Sequence, residues 1–147
     1  MSEQNKTVVR RIIDEHWNNK NAAIVSELFA SNVSLDTPDG VLTGLEGASS
    51  LLQAYETAFP DFHNITDDLF AVGDQVVVRW TFTGTNSGPF ADIAATGKQV
   101  RVPGCIGIFQ LDGGKVNQGH LAWDKYSLFQ QLGVIASSTS ASAEASG

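Results

Sequence analysis

The stretch Gln75-Val-Val-Val-Arg-Trp-Thr-Phe-Thr-Gly84 decides how this chain folds. Its apolar and polar residues alternate, with Val76, Val78, Trp80 and Phe82 on one face and Val77, Arg79, Thr81 and Thr83 on the other, the period of a half-buried strand. Gly73-Asp74 before it is a hairpin-type turn. Upstream, the segment from Phe62 to Phe70 alternates weakly, and downstream Gln99–Leu111 and Val116–Asp124 are two long strand patterns joined at Asp112-Gly113-Gly114. The segment from Asn86 to Gly97, rich in Gly, Pro, Asp and Thr, reads as a loop. Four consecutive strands with short turns imply an antiparallel meander.

N-terminal to Pro60 the period is helical. Val9, Ile12, Ile13, His16 and Trp17 form one apolar face between Val8 and Trp17, and Ala22, Val25, Leu28 and Phe29 form a second, shorter one. A short strand is expected from Asn32 to Asp36, leading into a Pro38-Asp39-Gly40 turn. A third helix runs from about Glu46 to Phe59, with Leu51, Leu52, Tyr55 and Phe59 at helical spacing, and Pro60 ends it. Lys125–Leu132 reads as a last short helix closed by Gly133. Helices first and strands afterwards define an α+β class over residues 1–134. The Ser/Ala-rich segment 135–147 reads as a disordered tail.

The 147 residues suffice for one domain. Nine Lys and Arg against sixteen Asp and Glu give a net charge of −7, with no basic block beyond Arg10-Arg11, which argues against a nucleic-acid partner or an anionic membrane. A single cysteine, Cys105, forms no internal disulfide and no zinc cage. No apolar run reaches the length of a membrane span and the N-terminus is polar, so the expected location is cytoplasmic.

The order of elements resembles the cone-shaped NTF2-like fold, in which a curved antiparallel sheet wraps the N-terminal helices and leaves a central pocket. Within that superfamily the chain looks most like the SnoaL-like polyketide cyclases, through Thr37-Pro-Asp-Gly-Val-Leu-Thr-Gly44, Ala58-Phe-Pro-Asp-Phe62, Val78-Arg-Trp-Thr-Phe-Thr-Gly-Thr85, Gly114-Lys-Val116, Trp123-Asp124 and Gln130-Gln-Leu-Gly133. The related ketosteroid isomerases fit poorly: their catalytic tyrosine, aspartate and oxyanion-binding acid would fall at Ile13, Thr37 and Gly107, none of which does that chemistry.

The resemblance implies a cofactor-independent aldol ring closure on an aromatic polyketide-type substrate, and with no pair of histidines at ligand spacing and a single Cys no metal is expected. It places the general acid/base at Asp124, where a carboxylate partly buried among aromatic rings becomes a better base. Asp is equally a favoured N-cap for the helix starting at Lys125. If the stripe Gln118, His120, Ala122 and Asp124 lines the pocket, His120 lies about 13 Å from Asp124 along the strand, suited to a substrate oxygen. An ordinary strand histidine is the plainer reading of His120. Trp17, Tyr55, His63 and Trp80 are the expected substrate-binding residues, because flat aromatic walls suit a planar ligand. Cys105 reads as an inert buried thiol. The alternative function is a non-catalytic module that binds a small hydrophobic or aromatic molecule. Either way a homo-oligomer, dimer or tetramer, is expected, with Val77, Arg79, Thr81 and Thr83 on the pairing face.

Overall fold

The computed structural model of the protein describes residues 2–135; of the expected tail only Ile135 falls within them. Helix α1 (Ser2–Arg11) runs on into a π-helical segment, Ile12–Asn18. A 3₁₀ turn, Ala22–Ile24, leads to the single-turn helix α2 (Val25–Leu28). Strands β1 (Phe29–Thr37) and β2 (Gly40–Thr43) form a hairpin, followed by α3 (Gly44–Ala58). The chain then forms β3 (His63–Val72), β4 (Gln75–Thr85), β5 (Gln99–Asp112), β6 (Lys115–Ala122) and the helix α4 (Lys125–Leu132).

The sheet has six strands in the order β2-β1-β6-β5-β4-β3. The expected four-stranded meander is present as β3 to β6, each antiparallel to the next. Two strands extend it: β1 pairs with β6 in parallel, and β2 pairs with β1 antiparallel. The sheet is therefore mixed, not wholly antiparallel. Bulges interrupt β3 at Thr66/Asp68, β5 between Val102 and Cys105 opposite Trp80/Phe82, and the β5–β6 pairing at Gln110/Leu111. Each adds bend and twist, and together they curl the sheet into an open half-cone.

The inner face of the cone is apolar and crowded. Val76, Val78, Phe82, Val102, Phe109 and Leu111 are all buried there. Gly107 and Gly119 make room for the ring of Phe109: an added Cβ would lie 2.9 Å from that ring at Gly107, and 2.8 Å from Leu35 and 3.2 Å from Phe109 at Gly119. Against this face pack α1 through Val9, the π-helical segment through Ile12 and Ile13, and α3 through Ala48, Leu51, Leu52, Tyr55 and Ala58. The loop 86–98 is pinned to the end of α3 by Asn86, fully buried, whose amide donates to the carbonyls of Ala58 (3.2 Å) and Gly88 (2.9 Å) and accepts from Thr96. That loop carries Phe90 onto Tyr55 and Phe59. Among the described residues no helix is long and apolar enough to cross a membrane.

Candidate functional site: an aromatic cavity under the curved sheet

Between the helices and the inner face lies a cavity of about 70 Å³. The π-helical segment supplies Ile12, Ile13 and Trp17; α3 supplies Leu51 and Tyr55; and α4 supplies Leu128. The sheet adds Asn64, Val78, Trp80, Phe82, Val102, Cys105, Phe109 and Leu121, and Trp123 stands just past the end of β6. The walls are almost wholly apolar. Ile12, Ile13 and Trp17 share the apolar face of the π-helical segment Ile12–Asn18, and such π-segments recur at functional sites. The side chain of Asn18 anchors this wall to β3, accepting from the Asn64 backbone N–H at 2.8 Å and donating to the Asn64 carbonyl at 2.9 Å.

Tyr55 of the cavity wall is tied to a polar chain outside it. The Tyr55 hydroxyl donates to Asp39 Oδ2 at 2.9 Å, and Asp39 Oδ1 is in turn paired with Lys125 Nζ. This chain ties three elements together, since Asp39 sits in the β1–β2 turn, Tyr55 on α3 and Lys125 at the first turn of α4. Burial and the Asp39 carboxylate both push the Tyr55 phenol well above its ordinary pKa, so it stands as the neutral O–H. The Trp123 ring meets Tyr55 edge-on, with centroids 5.6 Å apart at 87°. Its buried Nε1–H is directed toward the Tyr55 oxygen, an interaction that opposes the rise in the phenol's pKa without forming a well-aligned hydrogen bond. Burial likewise raises the Cys105 thiol to about 11, and that thiol donates to the Val102 carbonyl.

Of the residues expected at the site, the structure brings Trp17, Tyr55 and Trp80 together on the cavity wall. His63 is exposed at the start of β3 and does not line the cavity. The stripe Gln118, His120 and Ala122 lies on the exposed outer face of β6, while Gly119 and Leu121 face inward. His120 there sits 3.6 Å from Asp36 Oδ2. Asp124 falls beyond the strand, which ends at Ala122. It is the N-cap of α4, its Oδ1 accepting from the Ser127 N–H at 2.8 Å, and it is exposed. Trp123 and Phe82, not singled out from sequence, are part of the wall.

The positions of the isomerase-type catalysts hold no acid or base. Ile13 lines the cavity, Thr37 Oγ1 donates to the Gly40 carbonyl and accepts from the Asp39 N–H, and Gly107 lies under Phe109.

An open, strongly bent sheet closed on one side by N-terminal helices, with an apolar cavity between, is the NTF2-like cone. Solved structures show the same architecture. A candidate SnoaL-like polyketide cyclase from Jannaschia sp. CCS1 superposes with a TM-score of 0.84 at 23% identity, covering 91% of this chain and 94% of the other. TsrD from Streptomyces laurentii gives 0.81 at 26% identity, over 90% of this chain and 97% of its own. AclR from Streptomyces galilaeus, a candidate hydroxylase, gives 0.83 at 20% identity over 99% and 91%. No curated protein matches the chain. The chain belongs to the SnoaL-like polyketide cyclase family, whose pattern matches residues 7–132.

Proposed function

We propose that this protein binds a planar, largely apolar aromatic molecule in the cavity between α3 and the sheet. The observation that carries the reading is the meeting of Trp17, Tyr55, Trp80 and Trp123 around one cavity whose walls are almost wholly apolar. Rings between such walls bury much area and stack or meet edge-to-face favourably. About 70 Å³ is below the roughly 300 Å³ at which ordinary ligand pockets begin. A ligand larger than one ring enters only if wall side chains move, and Trp17, Trp80, Leu121 and Trp123, all incompletely buried, have room to do so.

A second reading, an aldol cyclase using Asp124 as general acid/base, is favoured by the family itself and by the position of Asp124 directly after Trp123 of the wall. In that reading Asp124 removes a proton from a carbon flanked by carbonyls and returns it to the new alkoxide. Both readings are tested by turnover of anthraquinone-type polyketide esters, with tryptophan quenching in parallel, by the wild type and by Asp124→Asn, which can still cap α4. Quenching without turnover supports the binding reading; turnover that Asp124→Asn lowers by about two decades supports the cyclase; no quenching contradicts both.

We further propose that a second copy covers the outer face of the sheet. There Phe70, Val77, Ile108 and His120 stand side by side across β3 to β6, flanked by Ile106 and Val72. Phe70 is 51% and Val72 66% exposed, an apolar patch of the kind that marks an interface. The patch carries both signs of charge at its margins, Arg79 with Asp68 on one side and Asp36 with His120 on the other, so it suits a copy of itself. Light scattering on the wild type and on Ile108→Lys is the check, with the wild type above monomer mass and the variant shifted toward monomer; a monomeric wild type contradicts it.

A further inference from the structure

Among the residues that line the cavity, Asn64 alone carries a side-chain amide. It is only 6% exposed. On β3 it stands opposite Phe82, another cavity residue, and residues directly opposite on antiparallel strands share a face, so its side chain leaves the sheet on the inner side. The Tyr55 hydroxyl, the Trp123 N–H and the Cys105 thiol are each turned to a partner within the protein.

The orientation of the Asn64 amide is fixed by its neighbour. Strand β3 is the last of the sheet, and both backbone groups of Asn64 are taken up beyond that edge by Asn18, whose Oδ1 accepts from the Asn64 N–H at 2.8 Å and whose Nδ2 donates to the Asn64 carbonyl at 2.9 Å. Asn18 Oδ1 is therefore an acceptor, and the end of the Asn64 side chain that meets it at 3.3 Å is the Nδ2 donor. With the nitrogen turned back to the sheet edge, the planar amide directs its oxygen the other way. Among the described residues no donor reaches Asn64 Oδ1. Nor is that oxygen sealed off, as the unpartnered His16 Nε2 and Asn117 Oδ1 are; in a residue this buried, the open space it touches is the cavity it lines.

We infer that Asn64 Oδ1 is a polar contact of the cavity and selects an aromatic ligand that carries a hydrogen-bond donor, a hydroxyl or an N–H. The inference rests on the binding reading above and adds the ligand's functional group. A donor on the ring satisfies the oxygen that the protein leaves open. A methyl group leaves it unpaired, and an ether or ketone oxygen sets lone pairs against it. Holding the edge of β3 does not account for the residue type, because the two shortest bonds of Asn18 go to backbone groups that a leucine supplies equally well, and an unpartnered amide oxygen in an apolar wall is a cost to the fold.

The test uses 4-nitrophenol and 4-nitrotoluene, two single rings of similar size of which only the first has a donor, titrated against tryptophan fluorescence at a mildly acid pH that keeps the phenol protonated. Their difference in hydrophobicity cancels when the ratio of their Kd values is compared between the wild type and Asn64→Leu. The preference for 4-nitrophenol is expected to be at least about fivefold greater in the wild type, the effect of one hydrogen bond to a buried acceptor, and a thermal melt establishes that the variant is folded. A second readout needs no variant: in the ¹H–¹⁵N spectrum of the wild type, the side-chain NH₂ signals of Asn64 are expected to shift further on saturation with 4-nitrophenol than with 4-nitrotoluene. A ratio that survives Asn64→Leu, or NH₂ signals that respond alike to the two probes, overturns the selection by Asn64 and leaves the binding reading intact. A wild type that binds neither probe overturns both.

Discussion

Replacing Asp124 by alanine and by asparagine separates a helix cap from a catalytic base. The Asp124 carboxylate accepts from the Ser127 N–H at 2.8 Å, one of the four donors that the first turn of α4 leaves without an intrahelical partner. Losing a cap of this kind costs about 1 kcal/mol, and losing the negative charge at a helix N-terminus adds about 0.5 kcal/mol in an exposed position. Asn keeps the bond and loses only the charge. For a domain of this size 1 kcal/mol corresponds to about 3–5 °C in Tm. Asp124→Ala is therefore expected to melt about 5 °C below the wild type and Asp124→Asn about 2 °C below, by calorimetry at low salt. Ligand quenching by the Asn variant is expected to match the wild type, since Asp124 does not line the cavity. Equal melting losses in the two variants, or an unchanged melt in Asp124→Ala, would refute the cap.

Three further outcomes follow from the packing. His16 is fully buried, its Nδ1–H donating to the Asn21 carbonyl and its Nε2 without a partner, and burial lowers its pKa. The unfolded chain then takes up the proton first, so this contribution to stability is intact above about pH 6.5 and is lost as the pH falls below that value toward the lower folded pKa; urea titrations from neutral to mildly acid pH are expected to show a decline that His16→Gln lacks, and parallel declines would exclude it. At Gly88 an added Cβ would sit 1.9 Å from the Thr57 carbonyl oxygen, so Gly88→Ala is expected to unseat loop 86–98 and cost about 1–3 kcal/mol, read from the urea midpoint. Cys105, 1% exposed with its thiol pKa raised to about 11, is expected to react with a thiol reagent only as fast as the native protein opens, and at once in urea; fast labelling of the native protein would contradict its burial.

Period-two patterning made β4 legible, and the inward set Val76, Val78, Trp80 and Phe82 lies where its alternation places it, three of the four buried and Trp80 partly so. Patterning does not say which face of β6 points inward. That depends on what covers the strand, and the apolar set Leu121 and Trp123, with Gly119 giving way to Phe109, was the available signal. Counting alternation past Ala122 gave Asp124 a strand face it does not have, because the chain turns there, with Lys125 N–H bonded to the Trp123 carbonyl, into α4. The parallel pairing of β1 with β6 joins segments about eighty residues apart, for which local pattern carries no information, and the four-residue β2 is too short for a period to show. The Tyr55–Asp39–Lys125 chain was hidden for the same reason: its members come from three separate elements, and only the folded turn after β1 brings Asp39 to Tyr55.

The central claim is that aromatic molecules occupy the cavity, and the three tryptophans report on it directly. In a ¹H–¹⁵N spectrum the indole N–H signals of Trp17, Trp80 and Trp123 are resolvable by single Trp→Phe assignments, and all three side chains line the cavity. On titration with 4-nitrophenol the three signals are expected to shift together along one saturation curve, while the backbone signals of exposed His63 and His120 stay in place. Shifts confined to the outer face of β3 to β6, with the indole signals unmoved, would contradict the account.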